Sequence, residues 1–168
     1  MYPALYWIES PFPGKLAISA RPRGGDWLED EIAAWREAGV DAVTSLLTPD
    51  EVKDLDLSAE PSLSESHSIR FRSFPIPDRG VPSSQTKAAS LIRTLKRDLE
   101  AGRNVAVHCR QGIGRSGLIA AGVLISAGMS SKEALRRIGE ARGLPVPETS
   151  EQRDWIEQLS GALEPPSE

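Results

Sequence analysis

Arg103-Asn104-Val105-Ala106-Val107-His108-Cys109-Arg110-Gln111-Gly112-Ile113-Gly114-Arg115-Ser116-Gly117-Leu118-Ile119-Ala120-Ala121-Gly122-Val123-Leu124-Ile125-Ser126-Ala127 is the stretch that decides how the rest of the chain is read. Arg103 to His108 reads as a short strand, Cys109 to Arg115 as a glycine-containing loop, and Ser116 to Ala127 as a helix. That helix is apolar nearly all round, so it belongs in the centre of the molecule rather than on its surface. A loop between a strand and a helix N-terminus turns successive backbone N–H groups toward one spot, where the helix dipole also favours negative charge. Such a unit is a cradle for a phosphate-sized anion.

Upstream, Leu5 to Ile8 and Lys15 to Ala20 read as two strands around a Pro/Gly turn, followed by the loop Arg21-Pro22-Arg23-Gly24-Gly25. Asp26 is placed to cap a helix carrying Leu28, Ile32 and Trp35 and ending at Gly39, with Trp27 and Trp35 at core spacing. Val40 to Leu47 reads as a strand, and Thr48-Pro49 opens a short helix to about Asp56. Leu57 to Ser68 is rich in serine and carries no clear period. Ile69 to Ile76 reads as a strand running into the loop 75–82. From Ser83 to Ala101 the set Ala88, Leu91, Ile92, Leu95 and Leu99 marks an amphipathic helix stopped by Gly102. Downstream of the central helix, Ser130 with Glu133 and Thr149 with Gln152 are two capping-box patterns, each opening a helix. Alternating strands and helices predict an α/β domain with a central, mainly parallel sheet flanked by helices and its site beyond the strands' carboxyl ends.

At 168 residues the chain is the size of one domain, expected over 1–163 with a disordered tail over 164–168. The net charge of −4 is spread rather than blocked, which argues against nucleic-acid partners. One cysteine excludes an internal disulfide and a multi-cysteine zinc cluster and fits a reducing compartment. No apolar run approaches the ~20 residues of a membrane span, and the N-terminus lacks a signal-peptide pattern. The expectation is a cytoplasmic monomer, away from membranes, that uses no metal and no cofactor.

That single cysteine follows one of two histidines, with Arg115 six places on, an arrangement expected by chance in only ~0.1% of chains of this composition. The cradle and the arginine favour a thiolate at Cys109 and hold a phosphoryl group above it. Arg115 supplies a planar fork for two phosphoryl oxygens. Gly112 and Gly114 permit the tight turn and the close approach of backbone to anion. Ser116 offers a hydroxyl to a departing thiolate. The phosphoryl group would lie against Arg110, Gln111, Gly112, Ile113, Gly114 and Arg115. Gly112-Ile113-Gly114-Arg115-Ser116-Gly117 also satisfies the dinucleotide fingerprint, but no strand ending in an acid follows about twenty residues on.

His108 to Ser116 resembles the signature loop of the cysteine-dependent protein phosphatases: His-Cys, five residues, Arg, then Ser or Thr. Length and layout resemble the small dual-specificity group, from about Ala17 to Leu159. The resemblance implies metal-free hydrolysis of phosphomonoesters through a phosphocysteine. It implies an aspartate acid on a loop some thirty residues before the cysteine, where Asp78 stands, and a late-loop glutamine that positions water, for which Gln152 is the candidate. His108 is then a structural residue whose ring bonds neighbouring backbone and tunes the thiolate. Arg79 and Arg110 flank the pocket and are placed to take substrate charge. Phosphotyrosine-only relatives carry an aromatic clamp; Tyr2 and Tyr6 lie outside any such loop, which favours phosphoserine and phosphothreonine as additional substrates. The alternatives are a phosphatase of a non-protein phosphomonoester and a rhodanese-like sulfurtransferase, which would have no need of Asp78.

Overall fold

The computed structural model describes residues 4–163, so the tail expected over 164–168 lies outside the described residues. Five strands and seven helices alternate as β1 (Leu5–Ile8), β2 (Leu16–Ala20), α1 (Leu28–Glu37), β3 (Ala42–Ser45), α2 (Pro49–Asp54), α3 (Glu60–Ser66), β4 (Arg70–Ser73), α4 (Gln85–Glu100), β5 (Val105–Cys109), α5 (Gly114–Ser126), α6 (Ser131–Arg142) and α7 (Ser150–Leu163). The strands form one sheet in the order β1-β2-β5-β3-β4. Only β1 runs antiparallel, so the chain is a single α/β domain with a mainly parallel sheet, as the alternation predicts.

The sheet is covered on both faces, which explains why β5 reads as a nearly unbroken apolar run. Val105, Val107 and Cys109 point into the core built with α4, α5, α6 and α7. Ala106 points the other way, into a core of Leu28, Ile32, Trp35, Val43, Leu57 and Ile69. Strand β5 enters last and lies between β2 and β3, with Ala20 paired to Cys109 and Ser45 to His108. The connection after β3 passes over one face through α2 and α3, whereas α5 leaves β5 over the other face. Neighbouring strands whose connections part in opposite directions open a crevice at their carboxyl ends.

Helix α5 is buried from Gly114 to Ile125, as its all-round apolarity requires. A Cβ on Gly122 would lie 2.4 Å from Ile92 Cδ1 and 3.0 Å from Leu159 Cδ2, so the glycine lets α4 and α7 close on the central helix. Burying each large apolar side chain of this layer contributes about 1.5–3 kcal/mol.

Several local expectations are corrected. The serine-rich stretch contains helix α3, with Pro61 in its first turn, where a missing N–H costs nothing. Its buried positions are Glu60 and Ser64, a polar spacing invisible to a search for apolar periods. Asp26 does not cap α1: it sits in a 3-10 turn spanning Gly25–Trp27, and no side chain caps the helix. That turn takes Trp27 out of the helix phase, leaving it 57% exposed beneath the Arg23 guanidinium, while Trp35 is buried as expected. Strands β3 and β4 are shorter than the runs 40–47 and 69–76, the rest of which is loop at the sheet's ends.

Candidate active site

The loop 110–113 leaves β5 at Cys109 and enters α5 at Gly114. It is held from outside by its carbonyls. Arg21 N–H donates to the Arg110 carbonyl at 3.3 Å. Arg142 donates from Nε to the Gly112 carbonyl at 3.0 Å and from its NH2 group to the Gln111 carbonyl at 3.4 Å. The Arg142 guanidinium lies 4.3 Å from the centre of the Tyr6 ring, so β1 backs the clamp. Gly112 has φ +73, and a Cβ there would sit 2.6 Å from Ala20 N, which presses the loop onto the end of β2. With the first bond of the helix running from Gly117 N to the Ile113 carbonyl, the N–H groups of Gly114, Arg115 and Ser116 are its free first-turn donors. The anion cradle read from the sequence is present in this geometry.

Cys109 is 2% exposed at the foot of the cradle, and its Sγ lies 3.3 Å from Ser116 Oγ. Arg115, also 2% exposed, is held from three segments, the first being the end of β3, where the Leu46 carbonyl accepts at 3.5 Å. Glu51 at the start of α2 accepts a bidentate pair, 2.6 and 2.9 Å long. The Ile76 carbonyl accepts at 2.9 Å, and Asp78 Oδ1 accepts at 3.1 Å. Burial alone would push the Glu51 carboxyl up, but hydrogen bonds from Arg115 and Thr48 and the guanidinium charge outweigh it and hold the group below the ordinary glutamate range. Burial likewise works against the charge on Arg115, yet Glu51, Cys109 and Asp78 together raise it above the usual arginine value. A permanently charged fork therefore stands between the cysteine and the aspartate.

The loop bearing Asp78 closes as a turn, Gly80 N–H to the Pro77 carbonyl at 2.8 Å, with Arg79 in the left-handed region at φ 60. Arg79 pairs with Glu148 at 3.2 Å. Gln152 is fully buried and reciprocates Thr149 as the capping-box pattern requires, its N–H donating to Thr149 Oγ1 at 3.1 Å and its Oε1 accepting from Thr149 N–H at 3.3 Å. It also accepts from Glu148 N–H and donates from Nε2 to the Gly80 carbonyl at 3.0 Å. A Cβ on Gly114 would lie 2.8 Å from Glu148 and 2.9 Å from Gln152, so both reach the N-terminus of α5.

The structure thus brings together Cys109, Arg115, Ser116, Asp78, Gln152, Gly112, Gly114 and, at the rim, Arg79. Arg110 and Gln111 are exposed on the outer side of the loop, and Ile113 is half-buried. His108 is fully buried, but its ring bonds Glu60 rather than backbone: Nε2 lies 2.7 Å from Glu60 Oε2. Sequence reading missed Glu51, Glu60 and Arg142. Of these only Glu51 left a signal, as the fourth residue of the Thr48-Pro49-Asp50-Glu51 capping box.

A parallel sheet, a strand-to-helix anion loop with a buried cysteine at its foot and an arginine tied to an aspartate loop define a cysteine-dependent phosphatase of the tyrosine and dual-specificity class. Residues 18–129 match the family model described as "Polymorphic toxin system, DSP-PTPase phosphatase", and the chain belongs to that family. It is 33% identical over 134 residues to the Arabidopsis thaliana phosphatidylinositol 3,4,5-trisphosphate 3-phosphatase and protein-tyrosine-phosphatase PTEN1, an alignment covering 74% of this chain and 31% of that one. The chain therefore spans about a third of that relative. A crystal structure of kinase associated phosphatase with its catalytic-site cysteine replaced by serine superposes with a TM-score of 0.86 at 18% identity, covering 97% of each chain. A crystal structure of Tk-PTP in the active form has a TM-score of 0.77 at 27% identity, over 96% of this chain and 99% of that one. Family membership decides for a metal-independent cysteine phosphatase over the sulfurtransferase alternative. No helix among the described residues is long and apolar enough to cross a membrane.

Proposed function

We propose that the protein removes phosphate from phosphotyrosine, and from phosphoserine and phosphothreonine, in proteins by way of a phosphocysteine at Cys109. The observation that carries this reading is the placement of the Cys109 sulfur beside Ser116 at the foot of the cradle, with Arg115 bridging to Asp78. In the first step the Cys109 thiolate attacks phosphorus, the ester P–O bond breaks, and the Asp78 carboxyl gives its proton to the departing oxygen. In the second step a water attacks the phosphorus of the thiophosphate and returns a proton to Asp78. The S–P bond then breaks, and the Ser116 hydroxyl donates to the departing thiolate.

Arg115 partners the equatorial oxygens through Nε and through the terminal N–H that Asp78 releases as it turns to the leaving oxygen. The Glu51 pair keeps its fork in one orientation, so little reorganisation accompanies the reaction. Arg110, Gln111, Gly112, Ile113 and Gly114 contribute loop amides and rim contacts, and Arg79 contributes charge at the mouth. The half-exposed Asp78, with Tyr6 held against Arg142 behind the loop, favours a shallow site that admits short side chains. A monomer in the reducing cytoplasm is consistent with a single, unpaired cysteine.

A second reading, a non-protein phosphomonoester such as a phosphoinositide, is favoured by the name of the plant relative, which covers both lipid and protein phosphatase activity. Hydrolysis of para-nitrophenyl phosphate in excess EDTA by the wild type and by Cys109→Ser tests the chemistry. Turnover is expected in the wild type alone; equal turnover in both would overturn the assignment. Phosphotyrosine peptide, phosphoserine peptide and phosphoinositide, compared at equal concentration, then separate the two substrate readings.

A further inference from the structure

Gln152 stands between two tasks, orienting the attacking water and holding the helix and loop around it. Its hydrogen-bonding capacity can be counted. A side-chain amide has one oxygen with two lone pairs and one NH2 group with two hydrogens. Both lone pairs of Gln152 Oε1 are taken, by the N–H groups of Glu148 at 3.2 Å and Thr149 at 3.3 Å. One amide hydrogen goes to the Gly80 carbonyl at 3.0 Å. The assignment of oxygen and nitrogen is forced by these partners, since the two N–H groups need an acceptor and the carbonyl needs a donor.

A water that attacks phosphorus spends a lone pair on the phosphorus atom and gives one hydrogen to the base. Whatever orients it either accepts its other hydrogen or donates to its second lone pair. Gln152 has no acceptor left to offer and one amide hydrogen to spare, so it meets the water by a single donated bond at most. Its other amide hydrogen goes instead to Gly80, two residues from Asp78, within the turn closed by Gly80 N–H and the Pro77 carbonyl. On the outer side of the same turn Arg79 meets Glu148, the residue whose N–H is held by Gln152 Oε1. The start of α7 therefore grips the aspartate loop at two successive residues, once in the buried layer and once at the surface.

We infer that Gln152 is a positioning residue for the acid step: with Glu148 as its outer partner, it holds the 77–80 turn so that Asp78 meets the leaving oxygen. The inference rests on Asp78 being the acid of the proposed mechanism. A displacement of about 1 Å at a catalytic group can cost on the order of 10²-fold in rate. The loss should fall where a proton is most needed, on poor leaving groups.

The test compares Asp78→Asn, Gln152→Met and Gln152→Glu on a phosphoserine peptide and on para-nitrophenyl phosphate, with rapid quenching to measure phosphocysteine. Methionine keeps the volume and removes every hydrogen bond. Glutamate keeps both acceptor bonds of the helix cap and removes the donor to Gly80, so it remains informative should the methionine variant not fold. Because glutamate also adds charge near the cradle, the readout is the ratio of the two kcat values within each variant.

Both Gln152 variants are expected to lose about tenfold more kcat on the phosphoserine peptide than on the aryl phosphate, with no added loss when combined with Asp78→Asn. Phosphocysteine should form more slowly from the phosphoserine peptide in both. Phosphocysteine forming from the phosphoserine peptide at the wild-type rate in both variants would overturn the inference and return Gln152 to the hydrolytic step. If Asp78→Asn itself failed to discriminate between the substrates, the acid assignment would fall instead, and the inference with it.

Discussion

The loop around Cys109 and the loop around Asp78 face each other across Arg115, yet they are built in opposite ways. The first runs between the buried Cys109 and the buried Arg115, is continuous in sequence and is clamped through its carbonyls by Arg21 and Arg142. Its conformation follows from the strand, the helix and the glycines that adjoin it. The Asp78 side chain is 52% exposed, and its loop owes its place to long-range partners, Arg115, Gln152 and Glu148. One loop is rigid because it is part of the core; the other is placed by a few replaceable contacts. That division suits a reaction in which the phosphoryl group must be gripped identically in both steps, while the acid must meet leaving groups of different shape.

The sharpest way to break the comparison is to remove the brace they share. Glu51→Ala leaves the buried Arg115 guanidinium without its bidentate partner, a change that typically costs about 3–5 kcal/mol. Both loops should loosen together, with activity falling on every substrate and the urea midpoint dropping. Glu51→Gln, which keeps the shape but not the charge, separates the two effects through pH. The Glu51 carboxyl is held below its ordinary value of 4.5 when folded, so its contribution to stability is complete above that value and is lost as pH falls through the lower folded value. The wild type should therefore lose stability in acid more steeply than Glu51→Gln; identical acid limbs would mean that this carboxylate carries little of the brace.

Gly112→Ala tests the core-built loop alone. A Cβ there meets Ala20 N at 2.6 Å with φ at +73, so the loop must lift off β2. Binding of vanadate or phosphate should weaken about tenfold or more, equally for all substrates, with stability lowered by about 1–3 kcal/mol. A selective loss on poor leaving groups would blur the distinction between the loops. The smallest effect belongs to Arg79→Ala. The Arg79–Glu148 pair is a partly exposed ion pair, worth at most about 1 kcal/mol. Stability should hardly change, and a loss of up to about fivefold should appear on the phosphoserine peptide and weaken with added salt. A loss of the same size on all substrates would point to substrate binding at Arg79 rather than to loop placement.

The same contrast explains what the sequence disclosed. His108 to Ser116 compresses strand end, anion loop, cysteine and arginine into nine consecutive residues, so a local reading recovers both the fold class and the centre of the site. Asp78 and Gln152 were reached only through the family resemblance, and nothing in the sequence signalled that Gln152 bonds the aspartate loop at Gly80. Glu60 and Arg142 carried no signal, because their partners lie 48 and 30 residues away and the bonds join polar atoms across elements that periodicity describes only by apolar content. Helix α3 escaped for a related reason: its inward face presents Glu60 and Ser64, so an apolar stripe never forms. Trp27 misled because spacing assumes an uninterrupted helix, and the 3-10 turn breaks the phase one residue before α1 begins.

The central claim is that phosphate passes through the sulfur of Cys109. Its most direct test is acid quenching of the wild type within one turnover of an aryl phosphate, followed by mass spectrometry of the peptide containing Cys109. The expected result is one phosphoryl group on that peptide, absent from Cys109→Ser, which should be inactive. Turnover that persists in Cys109→Ser, or a phosphoryl group found on another residue, would contradict it.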